Sequence, residues 1–73
     1  MPKGITINPE IQHGQPVVAG TRTPIVVILS SLASGMTKEE VMRDYDLTEE
    51  NMRDVMAYAA QTIELERTYF ISA

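Results

Sequence analysis

The residues of this 73-residue chain that could do acid–base or nucleophilic chemistry are few and scattered. His13 is the only histidine, it stands beside Gly14 in a predicted turn, and no serine or cysteine lies near it in the sequence. A catalytic triad needs a nucleophile, a base and an orienting group together, so we interpret His13 as a turn or hydrogen-bonding residue. With no cysteine and one histidine, the chain also lacks the usual ligands of a transition metal. We therefore expect no enzyme activity, no metal and no cofactor.

The acidic residues come in adjacent pairs, Glu39–Glu40 and Glu49–Glu50. Neighbours in sequence do not share a face of a helix, and acids are favoured in the first turn of a helix. We interpret both pairs as capping residues rather than as an acid/base pair. The stretch GQPVVAG has two glycines but lacks the lysine of a phosphate-binding loop.

Basic and polar residues around two predicted helices suggest nucleic-acid chemistry instead. The candidate DNA contacts are Arg22, Lys38, Arg43, Thr48, Asn51 and Arg53. The amide of Asn51 has the groups that read adenine, and the guanidinium of Arg53 suits guanine or a phosphate. The other cations suit phosphates. For Arg22 an alternative is open, in which its guanidinium bonds carbonyls or a carboxylate near the first helix.

The charge of the chain weighs against this interpretation. The net charge is −4 and the isoelectric point is about 4.7, whereas nucleic-acid binders usually carry a basic surface. Glu49 and Glu50 would also face the polyanion. Contact with DNA is therefore expected to be modest, and the acidic balance suits a basic protein partner equally well.

The elements that must position these residues divide at Pro24. Before it, residues 5–7 and 17–19 have the composition of short strands. Two such strands would form a hairpin, which is marginal in isolation. It should therefore pack on the helices or pair with a second chain through an exposed edge. Gly20 is expected to supply a positive φ, with Thr23 as helix N-cap and Pro24 as the first helical residue.

After Pro24 the pattern is helical in three segments. The first helix should cover residues 24–34 and stop at Gly35. Thr37 and Glu40 form a capping box for a second helix over residues 38–44. Thr48 should cap a third helix that continues to about residue 67, with an apolar stripe made of Met52, Val55, Met56, Ala59 and Ile63. A short helix, a break and a longer helix are typical of a helix-turn-helix.

Size and composition complete the domain prediction. Residues 1–73 form one domain, with a β-strand and turn arm for dimerisation over 1–23, a three-helix unit over 24–67 and a tail over 68–73. A chain this short is marginally stable alone, so we expect a homodimer. No apolar run approaches the roughly 18 residues that span a membrane, and no secretion signal is evident. We therefore expect no membrane partner and a cytoplasmic location.

The motifs GQPVVAGTRTPI, GMTKEEV and DYDLTEE together resemble the domain-of-unknown-function 433 family, which includes VapB-type antitoxin-like proteins. The resemblance covers about residues 7–60. It implies a mainly α fold, in which short N-terminal strands precede a homeodomain-like three-helix bundle, and a dimer joined through those strands. It also implies an antitoxin that neutralises a PIN-like ribonuclease toxin of a type II toxin–antitoxin pair and can repress the shared operon by binding operator DNA.

The C-terminal residues would supply the toxin contact in that family. Only about residues 62–73 remain for it here, and the candidate partner-binding residues are Leu65, Tyr69, Phe70 and Ile71. The same apolar residues could instead close the core of the chain itself. The alternative function is a protein-interaction module with no role at DNA.

Overall fold

In a computed structural model of the chain, the backbone is described for residues 3–72 and the side chains for residues 3–67. The elements in chain order are β1 (Ile5–Thr6), a 3-10 turn (Gln12–Gly14), β2 (Val17–Val18), α1 (Ile25–Ala33), α2 (Lys38–Tyr45) and α3 (Glu49–Ser72). Three helices thus follow a short antiparallel two-stranded sheet, which confirms the predicted fold class. α3 is longer than predicted, because it includes residues that the sequence assigned to a tail.

The N-terminal strands form the predicted hairpin, with Ile5 opposite Val18 and Thr6 opposite Val17. Each strand is one residue shorter than predicted. β2 is also paired on its other side, where Val17 forms a bridge with Pro24. Both edges of β2 are therefore occupied by this same chain. β1 contacts α3, so the hairpin packs on the helices. This was one of the two alternatives predicted from the sequence, the other being pairing with a second chain.

The joint between β2 and α1 is shifted by one residue from the prediction. Pro24 is the N-cap of α1, with an extended backbone and no side-chain cap bond, and the helix begins at Ile25. The assignments of Thr23 as cap and of Pro24 as the first helical residue are therefore wrong. The carbonyl of Thr23 accepts a hydrogen bond from the Val18 N–H at 3.1 Å. Because this pairing keeps Thr23 extended, the helix begins later than its local signals suggest. Gly20 has φ +80°, as predicted.

The turn before β2 contains three consecutive residues with positive φ, namely Gln12, His13 and Gly14. The Ile11 N–H donates to the carbonyl of Asn8 at 2.8 Å and closes the preceding turn. Non-glycine residues rarely adopt such a conformation. His13 is exposed, in keeping with its interpretation as a turn residue.

The helix boundaries around α2 follow local rules. At the end of α1, Gly35 has φ +110° and the Met36 N–H donates to the carbonyl of Ser31 at 3.2 Å, which is a Schellman motif. α2 begins with the predicted capping box of Thr37 and Glu40. It ends at Asp46, whose φ of +55° lets the chain turn towards α3.

The core lies where β1, β2 and the first half of α3 meet α1 and α2. Its buried hydrophobic residues are Ile5, Val17, Val18, Ile25, Ile28, Val41, Leu47, Met52 and Val55. The predicted stripe of α3 is buried only at Met52 and Val55, because Met56 is 51% exposed and Ile63 is 65% exposed. The rest of the protein therefore packs against the first half of α3, whereas residues 60–67 in its second half are all exposed.

Candidate functional site

The first turn of α3 holds two of the predicted DNA-contact residues in a reciprocal cap. The Asn51 N–H donates to Thr48 Oγ1 at 3.0 Å, and the Thr48 N–H donates to Asn51 Oδ1 at 2.9 Å. Thr48 therefore caps α3 as predicted. Reading adenine requires both the oxygen and the nitrogen of the Asn51 amide, and the oxygen is already engaged by the cap.

Two of the cationic residues predicted to contact DNA line one open hollow beside α1. Lys38 and Arg53 line an open hollow of about 570 Å³ together with Glu49 and the apolar residues Leu32, Met52 and Met56. The Lys38 ammonium lies 3.1 Å from the Glu49 carboxylate. The acid at the start of α3 thus neutralises one of the charges that would meet a phosphate.

The remaining candidate cations lie outside this hollow. Arg43, at the end of α2, has its Nε 3.8 Å from the Asp44 carboxylate. Arg22 is exposed in the joint before α1. The joint is held by Thr21, whose hydroxyl donates to the Val18 carbonyl at 2.7 Å and accepts from the Thr23 N–H at 3.1 Å. The described side-chain hydrogen bonds of the joint therefore come from Thr21, not from Arg22.

The capping box of α2 perturbs one acid. The Thr37 N–H donates to Glu40 Oε1 at 2.8 Å, and this bond, with the one from the Thr37 side chain, lowers the pKa of Glu40 below its ordinary value of 4.5. The Glu40 N–H in turn donates to Thr37 Oγ1 at 3.1 Å. Glu40 is therefore a structural acid, in agreement with the sequence interpretation.

The second half of α3 carries the two most exposed large hydrophobic side chains of the described residues. Residues 60–67 are all exposed, and within them Leu65 is 72% exposed and Ile63 is 65% exposed. Tyr69, Phe70 and Ile71 continue the helix, but their side chains lie outside the described residues. Of the predicted partner-binding residues, Leu65 is thus the one that the structure places on an open surface.

An apolar groove between α1 and α3 was not anticipated from the sequence. It has a volume of about 360 Å³ and is lined by Pro16, Ile25, Val26, Leu29, Tyr58 and Ile63, among other uncharged residues. The signal that could have revealed it is the absence of any charged side chain from residues 23–37. A helix without a charged face is expected to be buried on more than one side, so an apolar surface should remain where the core covers only one side of it.

The described residues contain neither a candidate membrane-spanning helix nor a candidate metal-binding cluster. No helix within residues 3–72 is long and apolar enough to cross a membrane. Among the same residues, no three His, Asp or Glu side chains come together in a way that could hold a metal ion.

Comparison with known proteins identifies the family. No curated protein matches the sequence. One solved structure, the X-ray crystal structure of Rv2018 from Mycobacterium tuberculosis, is similar with 31% sequence identity and a TM-score of 0.64. The match covers 71% of this chain but 24% of that one, so the chain spans about a quarter of the length of the protein it resembles. The profile of the family described as "Protein of unknown function (DUF433)" matches residues 5–59. The chain therefore belongs to the DUF433 family.

Proposed function

We propose that this protein is an antitoxin-type interaction module, which binds and neutralises a PIN-like ribonuclease through the second half of α3. The observation that carries the proposal is the exposure of Leu65, which at 72% is the largest among the exposed large hydrophobic residues of the described chain. A large apolar side chain on an uncovered helix is a common anchor for docking into the groove of another protein.

The energetics of an isolated helix support a docking role. α3 has 24 residues and is about 36 Å long at 1.5 Å per residue. Its buried residues Met52 and Val55 lie in its first two turns. An isolated helical segment of about a dozen residues is marginal in water. Covering the second half of α3 with a partner would supply the packing that the body does not provide.

The charges beside Leu65 favour a basic partner. Glu64 and Glu66 flank it in sequence and both are exposed, with Glu64 in an exposed ion pair with Arg67 at 3.5 Å. The whole chain carries a net charge of −4. A ribonuclease must present positive charge to the phosphates of its substrate. An acidic helix with an apolar anchor is complementary to such a surface and would compete with RNA for it.

A nuclease titration tests the proposal. The ribonuclease is the PIN-like protein expected from the neighbouring gene, and its cleavage of RNA is followed as wild-type protein is added. We expect stoichiometric inhibition. Leu65→Lys should raise the half-inhibitory concentration about tenfold or more, because it removes the anchor and places a cation against a basic surface.

Ala57→Lys is the matched control, because Ala57 is exposed in the first half of α3. It should inhibit like the wild type. If a molar excess of the wild-type protein leaves the nuclease fully active, or if the neighbouring gene encodes no nuclease, the proposed function is wrong.

Operator binding is a second candidate function, favoured by the position of Lys38 and Arg53 on one hollow between α2 and α3. The two helices are separated by residues 46–48, which is the spacing of a helix-turn-helix. The Lys38–Glu49 ion pair and the engaged Asn51 amide weigh against it. A gel-shift titration with the native upstream DNA tests it, and binding no tighter than to random DNA would exclude it.

A further inference from the structure

The groove between α1 and α3 is continuous with the hydrophobic core. Met52 and Val55 are buried on the inner side of α3, and the same helical stripe continues to Ala59 and Ile63, which line the groove. α1 has 9 residues and is about 14 Å long, against about 36 Å for α3. The inner side of α3 therefore extends past the end of α1 and leaves a core-type surface uncovered.

The opposite wall of the groove is formed by α1 and is also apolar. Ile25, Val26 and Leu29 form this wall, and Val26 is 56% exposed. The outer positions Ser30 and Ala33 are exposed as well, and they are small enough to allow close approach of another helix. No residue that lines the groove is charged, although 22% of the chain is charged.

We propose that this groove receives α3 of a second copy of the same chain, in a two-fold symmetric dimer in which the α1–α3 faces meet. An uncharged apolar face is complementary to itself, so two chains of net charge −4 can meet there without bringing like charges together. A two-fold interface is isologous, so each α3 lies across the partner's α1 and receives the same contact in return.

The dimensions fit this occupant. The part of α3 beyond Ala59 has 13 residues and is about 20 Å long, which is enough to cover the full length of α1. Thr62 and Ile63 would enter the groove, and Glu66 and Arg67, one turn further, would supply the charged rim that surrounds the apolar centre of an interface.

The hairpin offers much less to a second chain. Both edges of β2 are paired within the chain, and β1 has two residues. One free edge of this length provides only a few backbone hydrogen bonds. The dimer proposed here therefore differs from one joined through the N-terminal strands, and it does not depend on the proposed antitoxin function.

Sedimentation equilibrium over a range of protein concentrations tests the dimer, with three matched changes of exposed apolar residues to glutamate. Ile63→Glu changes a residue that lines the groove. Leu65→Glu changes a residue outside the groove lining, and Ile7→Glu changes the residue that directly follows β1. Circular dichroism checks that each variant folds. Val26→Glu, on the α1 wall, is the second groove variant in case Ile63→Glu fails to fold.

We expect the wild type to be dimeric. Ile63→Glu and Val26→Glu should raise the dimer dissociation constant at least about 100-fold, because each buries an unpaired carboxylate in an apolar interface. Leu65→Glu and Ile7→Glu should change it by less than about threefold, as expected for surface positions. A monomeric wild type, a groove variant that stays dimeric, or disruption by Ile7→Glu alone would overturn the proposal.

Discussion

Ile63 and Leu65 are both strongly exposed, yet they lie on opposite sides of α3. Two residues along a helix correspond to a rotation of about 200°, and Ile63 lines the groove beside α1 whereas Leu65 does not. Their exposed fractions are 65% and 72%. One helix therefore presents two separate exposed apolar positions, as the proposed dimer contact and the proposed ribonuclease contact both require.

The first prediction is that these two contacts can be lost separately. Leu65→Lys should abolish tight inhibition of the ribonuclease while the protein remains dimeric. Ile63→Glu should give a monomer whose Leu65 face is intact. Sedimentation and the nuclease titration, performed on the same two preparations, measure both properties. Loss of both properties in either variant would show that the two sides do not act independently.

The second prediction concerns the close contact between β1 and α3. A Cβ on Gly4 would lie 2.9 Å from the Cβ of Asp54 and nearer still to its carboxylate, and Gly4 has φ +75°. Gly4→Ala should lower the free energy of unfolding by about 1–3 kcal/mol through overpacking, in addition to backbone strain of about 1–2 kcal/mol. Chemical denaturation measures the loss.

Gly20→Ala is its matched control. Gly20 has φ +80°, and a Cβ there would meet no heavy atom of the described residues within 4 Å. This variant should show the backbone strain alone. Equal losses for the two variants would mean that the contact between Gly4 and Asp54 is not tight.

The third prediction is a pH dependence that arises from Glu40. The Thr37 N–H lowers the pKa of Glu40 in the folded state below 4.5. A lowered folded-state pKa stabilises the protein above the unfolded-state pKa, and this stabilisation is lost as the pH falls through the folded-state value. The wild type should therefore melt at a higher temperature than Glu40→Gln at pH 7, and the difference should shrink as the pH falls below 4.5. A difference that does not change with pH would contradict the assignment.

The fourth prediction concerns the turn between α2 and α3. Asp46 has φ +55°, a conformation that costs L-residues about 1–2 kcal/mol, with Asp and Asn penalised less than most. Asp46→Gly should raise the free energy of unfolding by up to about 1 kcal/mol, and Asp46→Ala should not. Thermal melts of the two variants check this. A lower melting temperature for Asp46→Gly would indicate that the aspartate side chain stabilises the turn.

The features that the sequence predicted correctly are set by neighbouring residues. The Thr37–Glu40 capping box and the stop at Gly35 depend on side chains within one helical turn, and both occur as predicted. Thr23 is also a threonine before a helical pattern, but no glutamate follows it three residues on, and its carbonyl accepts a hydrogen bond from the Val18 N–H across the joint. Local rules cannot anticipate such a pairing, because it depends on where β2 lies.

The sequence also predicted one part of the candidate site, the residue Leu65, but not the groove between α1 and α3. For Leu65 the sequence left two alternatives open, docking on a partner and closing the core of the chain itself, and the structure leaves this side chain 72% exposed. The groove was not predicted, because helical periodicity identifies the inner side of α3 without showing how far the rest of the protein packs along it. Ile63 belongs to the same stripe as Met52, but it lies beside the start of α1 with 65% of its side chain exposed.

Amide hydrogen exchange at residues 60–67 tests most directly whether the second half of α3 is a binding element. In dilute protein these amides should exchange quickly, because no described part of the chain covers the helix there. Their exchange should slow when the protein is concentrated or when the ribonuclease is added. If these amides are equally protected in dilute protein and in both complexes, the second half of α3 is not the docking element.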